Sequence, residues 1–553
     1  MTSECQTDTP APRHPAGPPD GGLINLVPAD ASLVVEVGGS AGCAQYLARI
    51  NPPARCLTVS LADAAGGPNT ANLVSGSADC LVYPGSLDGP ASTPDALRRQ
   101  ARWLREGGIL LARVANPYHW RTVRAVLEGA WPRPSEALHG LTPEGLESLL
   151  TEAGLTPVDL YPRVPDTQAG RALVQGLGAV LRETGIDASA FADRAAPADF
   201  LVRAVRGGPR PPDLLVQAIV RPPVGAVNDK RVDEPGRFLA TVPGVRFVSG
   251  TQRADLRLGA GVEHKVLLWQ RPILRRPEDI ASLRTLLRAG CLVVVDFDDD
   301  PRRWPEIEAH GNLTFRGVHG VQTSTEPLGE LLRRFNPNVA VFPNQMAEIP
   351  PPRPPRDPAS PVTVFFGALN RENDWRPILP GLNRLLGEYS ARVQVWVVHD
   401  RIFYDALETT AKRFEPTCPY PRYLELLRRC DIGLMPLEPT EANRYKSDLK
   451  LIEHAANGVV ALASPTVYAD SLRDGETGFL FHDPQAFTVR LRRLVDDAAL
   501  RQRVADQAYR WVVSERLLAQ HYRERYRWYT QMLEERPRLD AELRARVPEI
   551  FAG

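Results

Sequence analysis

Three consecutive α/β domains, each on a mainly parallel sheet, are what this sequence predicts, and three observations carry the prediction. The chain is 553 residues long, enough for three or four domains at roughly 150 residues each. Short apolar runs of strand length alternate with segments of helical periodicity along most of it. Two proline-rich breaks, Gly207-Gly208-Pro209-Arg210-Pro211-Pro212 and Pro350 to Pro358, read as stiff linkers dividing the alternation. The implied division is a disordered tail (1–22), a first domain (23–207), a linker (208–212), a second domain (213–347), a linker (348–358), a third domain (359–535) and a C-terminal tail (536–553).

In the first segment, the apolar run Leu33-Val34-Val35-Glu36-Val37 leads into Gly38-Gly39-Ser40-Ala41-Gly42 and a helix over Cys43 to Ile50. Such a turn lets backbone approach a ligand and aims helix N–H groups at it. Strands follow at Arg55 to Ser60, Cys80 to Tyr83 and Gly108 to Val114, and helices at Ala96 to Arg105 and Leu141 to Ala153. Two late strands, Pro157 to Tyr161 and Asp199 to Arg206, flank a helical insert as a closing antiparallel hairpin would. The turn Glu36 to Gly42, Ile50-Asn51-Pro52, and Leu104-Arg105-Glu106-Gly107-Gly108-Ile109-Leu110-Leu111 together resemble a class I S-adenosylmethionine-dependent methyltransferase over residues 23 to 206. That resemblance implies S-adenosylmethionine as cofactor, held at Glu36, Gly38, Gly39 and Gly42. Ser40 stands where the family has its middle glycine. The second strand ends in Thr58-Val59-Ser60-Leu61, without the family's ribose-binding acid.

The second segment predicts strands at Leu214 to Val220, Val245 to Ser249, Lys265 to Gln270, Cys291 to Asp296, Gly320 to Thr323 and Val339 to Phe342, with helices at Asp279 to Ala289 and Thr325 to Phe335. Its sharpest feature is Leu292-Val293-Val294-Val295-Asp296-Phe297-Asp298-Asp299-Asp300-Pro301. Four acids after a buried strand fit three readings. They are a metal site for phosphoryl chemistry, a D-x-D metal and diphosphate site, or a solvated loop at the carboxyl end of a parallel strand, where ligand crevices form.

In the third segment, Val362 to Gly367 is an apolar strand running into Ala368-Leu369-Asn370-Arg371. Further strands are Val393 to Val398 and Asp431 to Met435, with a helix over Pro421 to Arg429. Then comes Lys446-Ser447-Asp448-Leu449-Lys450-Leu451-Ile452-Glu453-His454-Ala455-Ala456-Asn457-Gly458, read as a helix with Ser447 as N-cap, apolar residues at helical spacing and Gly458 as stop. Only five lysines occur against sixty-one arginines, and two are the pair Lys446 and Lys450. A position that keeps lysine in so arginine-rich a chain suits a compact point charge. His454 reads as a packed core histidine.

The helix, the strand Val459 to Ser464, and Asp474-Gly475-Glu476-Thr477-Gly478-Phe479-Leu480 have the order and spacing of the "L-E-A-x-A-x-G", "P-V-V-A-S" and "D-G-x-x-G-x-L" motifs. Residues 360 to 515 thus resemble a group 1 nucleotide-sugar glycosyltransferase. The resemblance implies a GT-B fold, two Rossmann-like domains of which the second and third segments are the acceptor and donor halves. It implies Glu453 on the nucleotide ribose and Arg371 facing the donor diphosphate; Lys446 and Lys450, which flank the helix start, are read as supplying the remaining phosphate charge, where the family more often has its lysine near the first strand, and Gly367 and Ser447 join them as donor-binding candidates. Asp296, Asp298 and Asp299 are the candidates for a general base. The family's fuller motif is Glu-x7-Glu, whose first glutamate touches the donor sugar, and here that place is Tyr445.

Charge is balanced at 66 basic and 66 acidic residues, with no basic run interleaved with aromatics, so no nucleic-acid partner is expected. Seven scattered cysteines with no C-x-x-C predict neither a zinc site nor a disulfide framework, and a reducing, cytoplasmic setting. The proline- and arginine-rich bias reads as a GC-rich coding background. The N-terminus lacks the order of a signal peptide, and no apolar run approaches the roughly 18 residues of a membrane span. No integral membrane segment is expected, and peripheral association stays open.

The implied activity is transfer of a sugar from a nucleotide-diphosphate sugar to a glycan or glycolipid acceptor, with no metal and no cofactor required, in bacterial surface polysaccharide synthesis. The alternatives are a methyltransferase acting on a glycan, a bifunctional enzyme, and an inactive scaffold.

Overall fold

The computed structural model describes residues 22–39, 42–64, 67, 73–87, 93–130, 142–165, 168–221, 227–251, 253–357 and 359–552. Gly22 aside, the expected N-terminal tail lies outside the described residues, as do Ser40, Ala41, Leu141 and Pro358. The alternation along the sequence becomes three six-stranded sheets.

The first sheet contains β1 (Leu33–Val37), β2 (Arg55–Val59), β3 (Ala78–Ser86), β4 (Leu104–Ala115), β5 (Leu155–Arg163) and β6 (Asp199–Arg206), in the order β2-β1-β3-β4-β6-β5. Only β6 is antiparallel to its neighbours, β4 and β5, so the expected closing hairpin is present. Helices cover both faces, which is why β1 can be apolar on alternate and intervening positions alike. Thr142 caps the Pro143–Glu152 helix by accepting from the Gly145 N–H at 3.1 Å, and Pro143 occupies the first turn, where no donor is lost.

The second sheet, β7 (Leu214–Ile219), β8 (Val245–Gly250), β9 (His264–Gln270), β10 (Cys291–Asp296), β11 (Gly320–Thr323) and β12 (Val339–Val341), runs β12-β11-β10-β9-β7-β8 and is parallel throughout. The third, β13 (Val362–Gly367), β14 (Val393–Val398), β15 (Lys412–Glu415), β16 (Ile432–Met435), β17 (Val460–Ala463) and β18 (Phe479–Leu480), runs β15-β14-β13-β16-β17-β18, also all parallel. In both, chain order reverses at one place, between β7 and β9 and between β13 and β16. Ligands of doubly wound sheets bind outside the carboxyl ends of the strands at that switch point.

One expectation needs correction. The stretch 536–553, expected as a tail, is built into the second domain over its described residues, 536–552. A helix over Arg536–Arg546 buries Leu539 and Leu543, and Val547 and Ile550 continue the apolar contact. Asp540 meets the buried His319 ring at 2.9 Å, and Arg284 donates to the carbonyls of Glu549 and Ile550 at 2.9 Å. The Leu518–Glu534 helix before it likewise crosses from the third domain, and its Tyr529 hydroxyl donates to Gln322 at 2.7 Å. The second linker, moreover, is not free: Arg353 and Arg356 clamp Asp431 at 3.1 and 2.7 Å. The first domain joins the same core through Asp30, which accepts from Tyr522 at 2.7 Å, and through the fully buried Arg203, which donates to the Ala240 carbonyl at 2.9 Å.

Candidate active site

The two switch points face each other across a cleft of about 590 Å³ between the second and third domains. Six cationic side chains line it (Lys230, Arg231, Arg271, Arg371, Lys446 and Lys450) against three carboxylates, Asp298, Asp299 and Glu453. A concave surface with that excess focuses a positive potential suited to an anionic ligand.

The donor wall is built on the Leu449–Ala456 helix, which follows Asp448. The expected N-cap, Ser447, does not cap it. Its hydroxyl accepts from Asn344 Nδ2 of the second domain at 2.8 Å, and the cap position falls to Asp448. Asp448 makes no capping bond either, because Arg516 takes its carboxylate at 2.6 and 2.9 Å and Ser471 donates to it at 2.7 Å. The first-turn amides of this helix therefore have no side-chain cap.

One turn further on, Glu453 is 3% exposed yet lines the cleft. The Tyr420 hydroxyl donates to its Oε1 at 2.8 Å, leaving the other carboxylate oxygen without a hydrogen bond among the described residues. Burial raises its carboxyl above the usual range, opposed by Lys450, Lys230 and that hydroxyl. Lys450 donates to the Gly367 carbonyl at the end of β13 and stands 5.5 Å from the Tyr423 ring centroid. Burial holds its ammonium below the usual range, against Glu453. Gly367 is required by this packing, since a Cβ there would lie 2.6 Å from the Tyr423 ring. Arg371 is anchored by Asp374 at 3.2 Å and Asn443 at 3.1 Å, with its guanidinium on the cleft. His454 points away into the core, its Nδ1 donating to the Lys450 carbonyl at 2.6 Å, and burial holds its pKa down at about 3.

The three aspartates expected as bases separate. Asp296 is fully buried and outside the cleft lining; Arg231 grips it at 2.9 Å and Gln322 donates to it at 2.8 Å, so it is a structural counter-ion. Asp298 lines the cleft but is held by Arg271 Nε at 2.6 Å. Asp299 lies 3.3 Å from Lys446 across the cleft. Burial raises its pKa, but Lys446, Arg271 and Arg303 outweigh that and leave it below the usual range. A carboxylate so stabilised is a poor proton acceptor. Asp299 acts on the loop as a latch to Lys446, whose own pKa burial lowers. Among the described residues no group of three or more His, Cys, Asp or Glu could hold a metal ion.

Tyr445 is turned away from the cleft. Its hydroxyl donates to Glu441 at 3.2 Å and Arg302 stands over its ring at 5.4 Å.

Lys230 and Tyr420 are among the cleft residues that the sequence reading does not reach. Lys230 rises from a π-helical turn, Asp229–Asp233, in the second domain, and its ammonium lies 5.0 Å from the centroid of the Tyr420 ring in the third. Glu234 holds it at 2.9 Å. Three of the five lysines therefore line one cleft, and the signal was lysine scarcity itself. Tyr420 carried no comparable signal.

The described glycines of the first domain's turn, Gly38, Gly39 and Gly42, are closely packed. Gly38 has φ 70°, and a Cβ there would meet Leu61 at 2.5 Å. At Gly39, Pro84 from the end of β3 would be 2.3 Å away, so Pro84 fills the switch point between β1 and β3. A Cβ on Gly42 would meet Ile24 at 2.4 Å. Glu36 is buried, with Cys56 Sγ at 3.8 Å. After β2, Ser60 and Asp63 hydrogen bond each other at 2.6 Å, and no acid stands at the strand end.

A family model described as glycosyl transferase-like matches residues 372–532. That match supports a transferase enzyme. No curated protein matches the chain. Among solved structures, a glycosyltransferase of Rickettsia africae is 12% identical, covering 58% of this chain and 99% of that one, with a TM-score of 0.42. HepE of Anabaena, in complex with UDP and glucose, is 13% identical over 59% of this chain and 100% of that one, at 0.40. TarM, from S. aureus, is 11% identical over 48% of this chain, at 0.37, and the chain spans only 54% of its length. Likeness at these scores carries nothing further.

Proposed function

We propose that the protein is a glycosyltransferase that moves a sugar from a nucleotide-diphosphate sugar to a hydroxyl of a glycan or glycolipid acceptor, as in building a bacterial surface polysaccharide. The observation that carries this is the half-satisfied carboxylate of Glu453, on the wall of a cationic cleft at the switch point between β13 and β16. In this reading Glu453 accepts from the ribose hydroxyls, and the diphosphate lies toward the uncapped first turn at Leu449, with Arg371, Lys446 and Lys450 beside it. As the glycosidic bond to the donor breaks, the sugar takes on oxocarbenium character and negative charge grows on the leaving β-phosphate. The helix end and the three cations stabilise that charge, the largest contribution such a site can make. Closure of the two domains excludes water, so that the acceptor hydroxyl is the nucleophile.

Nucleotide recognition then spans both domains, because Lys230 sits on the ring of the tyrosine that orients Glu453. Replacing Lys230 with Met is expected to weaken donor binding by about 1 kcal/mol, roughly fivefold in Kd, with Lys230→Arg recovering most of it. Titration calorimetry with the donor checks this.

The first domain is proposed to be structural. Its strand order is compatible with the methyltransferase-like resemblance, but its turn is filled by Pro84 and Leu61. The testing experiment is ligand-dependent thermal stabilisation of the full chain, followed by nucleoside diphosphate release. A uridine or guanosine diphosphate sugar is expected to raise the melting temperature, as any ligand selective for the folded state does. No shift with either class would sink the glycosyltransferase reading, and a shift with S-adenosylmethionine would restore the methyltransferase.

A further inference from the structure

We infer that the acceptor is anionic, and that its phosphate or carboxylate binds between Arg221 and Arg271 at the switch point of the second sheet. The inference rests on the glycosyltransferase reading for the word acceptor, but the anion site stands on its own geometry. β7 and β9 are parallel neighbours whose register ends at Ile219↔Trp269. Two residues beyond that pair, Arg221 and Arg271 leave adjacent strand ends, at a strand spacing of about 4.8 Å. It is between these two strands that the chain order of the sheet reverses, the place where doubly wound sheets take their ligands.

Arg271 is held in an unusual way. Its φ is 43°, in the left-handed region that non-glycine residues rarely enter and that clusters at functional sites. Its backbone N–H donates to the Asp296 carbonyl at 2.8 Å, and its side chain, lining the cleft, is fixed by Asp298 on Nε and by the Trp304 ring at 5.9 Å. The terminal nitrogens of that fork make no hydrogen bond among the described residues.

Arg221 and Arg275 complete the cluster. Neither side chain meets a carboxylate among the described residues, and Asp279 accepts only the backbone N–H of Arg275, at 2.7 Å. The guanidiniums that line the cleft differ, Arg231 being paired with Asp296, Arg271 with Asp298 and Arg371 with Asp374. Burial, then Arg271, then Arg275 depress the pKa of Arg221, so the three groups feel one another. Like charges gathered beside the cleft, with Asp298 on Arg271 as their one carboxylate partner among the described residues, leave a field that a phosphate or carboxylate would neutralise, and planar guanidinium forks match either group.

The test is calorimetric titration of the full chain with glycerol 3-phosphate and, separately, D-glucuronate, at low salt and with UDP or GDP present. One probe is expected to bind, more weakly as salt rises. Binding of glycerol 3-phosphate assigns a phosphate and binding of glucuronate a carboxylate. Arg221→Gln and Arg275→Gln are each expected to weaken that binding about tenfold without changing nucleoside diphosphate affinity, whereas Arg384→Gln, on the exposed face of a distant helix, should leave it unchanged. If neither probe binds, or both variants bind like the parent protein, the inference is overturned. Probe binding that survives while neither nucleotide binds would instead sink the donor assignment and keep the anion site.

Discussion

Glu453→Ala is expected to abolish stabilisation by nucleotide sugars and to weaken donor binding by about 2–3 kcal/mol, roughly 30- to 150-fold in Kd, the effect of losing two charge-assisted hydrogen bonds to ribose. Glu453→Gln should fall between, since it keeps one acceptor. The pH dependence separates this role from simple packing. Burial raises the carboxyl above its ordinary range, while Lys450 on the same helix, Lys230 across the cleft and the Tyr420 hydroxyl hold it down, and Glu234 pushes it up. Tyr423 and Tyr468 also face it and stay protonated, burial and Glu453 raising both. Only the ionised form accepts from both hydroxyls. Donor affinity should therefore fall as pH drops through the raised pKa, and the glutamine variant should lack that limb. Calorimetric Kd values across pH check it, and identical profiles for parent and variant would refute the assignment.

The parts of this site that were legible in the sequence are those fixed by local chemistry. The strands beneath it are short apolar runs bounded by turns, and β10, Cys291 to Asp296, came out at its own limits. β15, Lys412-Arg413-Phe414-Glu415, was missed, since an edge strand needs no apolar run and protects itself with charge. The helix cap was misplaced by one residue because capping propensity is local and the demand on Ser447 and Asp448 is not. Asn344 and Arg516, more than sixty residues away in either direction, claim their side chains. The aspartate run shows the same limit. Spacing could not tell the fully buried Asp296 from Asp299 on the cleft, because the difference is made by Arg231 and Lys446 from other elements. The C-terminal helix was hidden for a related reason. Its strongly charged sequence reads as solvated, and only the apolar contacts of Leu539, Leu543, Val547 and Ile550 with distant residues show that it is covered.

Arg231 carries the largest expected effect on stability, and it also ties the two halves together. The guanidinium, 1% exposed, grips Asp296 through two nitrogens at 2.9 and 3.3 Å and donates to the Phe342 carbonyl at 2.7 Å and to Asn344 Oδ1 at 3.1 Å. Arg231→Met should cost about 3–5 kcal/mol, because it leaves a buried carboxylate with Gln322 as its one remaining side-chain hydrogen-bond donor among the described residues. At 2–4 °C per kcal/mol, that lowers the melting midpoint by on the order of 10 °C. Burial already raises the Asp296 pKa despite Arg231, and without the arginine it must rise further. A group whose folded pKa lies above its unfolded value has its most favourable contribution below the unfolded pKa and loses it as pH rises through the folded one. The deficit of the variant should therefore be small near pH 4 and grow toward neutrality, a trend that melting curves across pH would show. Adding Asp296→Asn removes the buried charge and should restore most of the stability. It should not restore donor affinity to the same extent, because Asn344, which donates to Ser447 at the start of the donor helix, remains without the guanidinium that orients it. A double variant that recovers both equally would show that Arg231 acts on the fold alone.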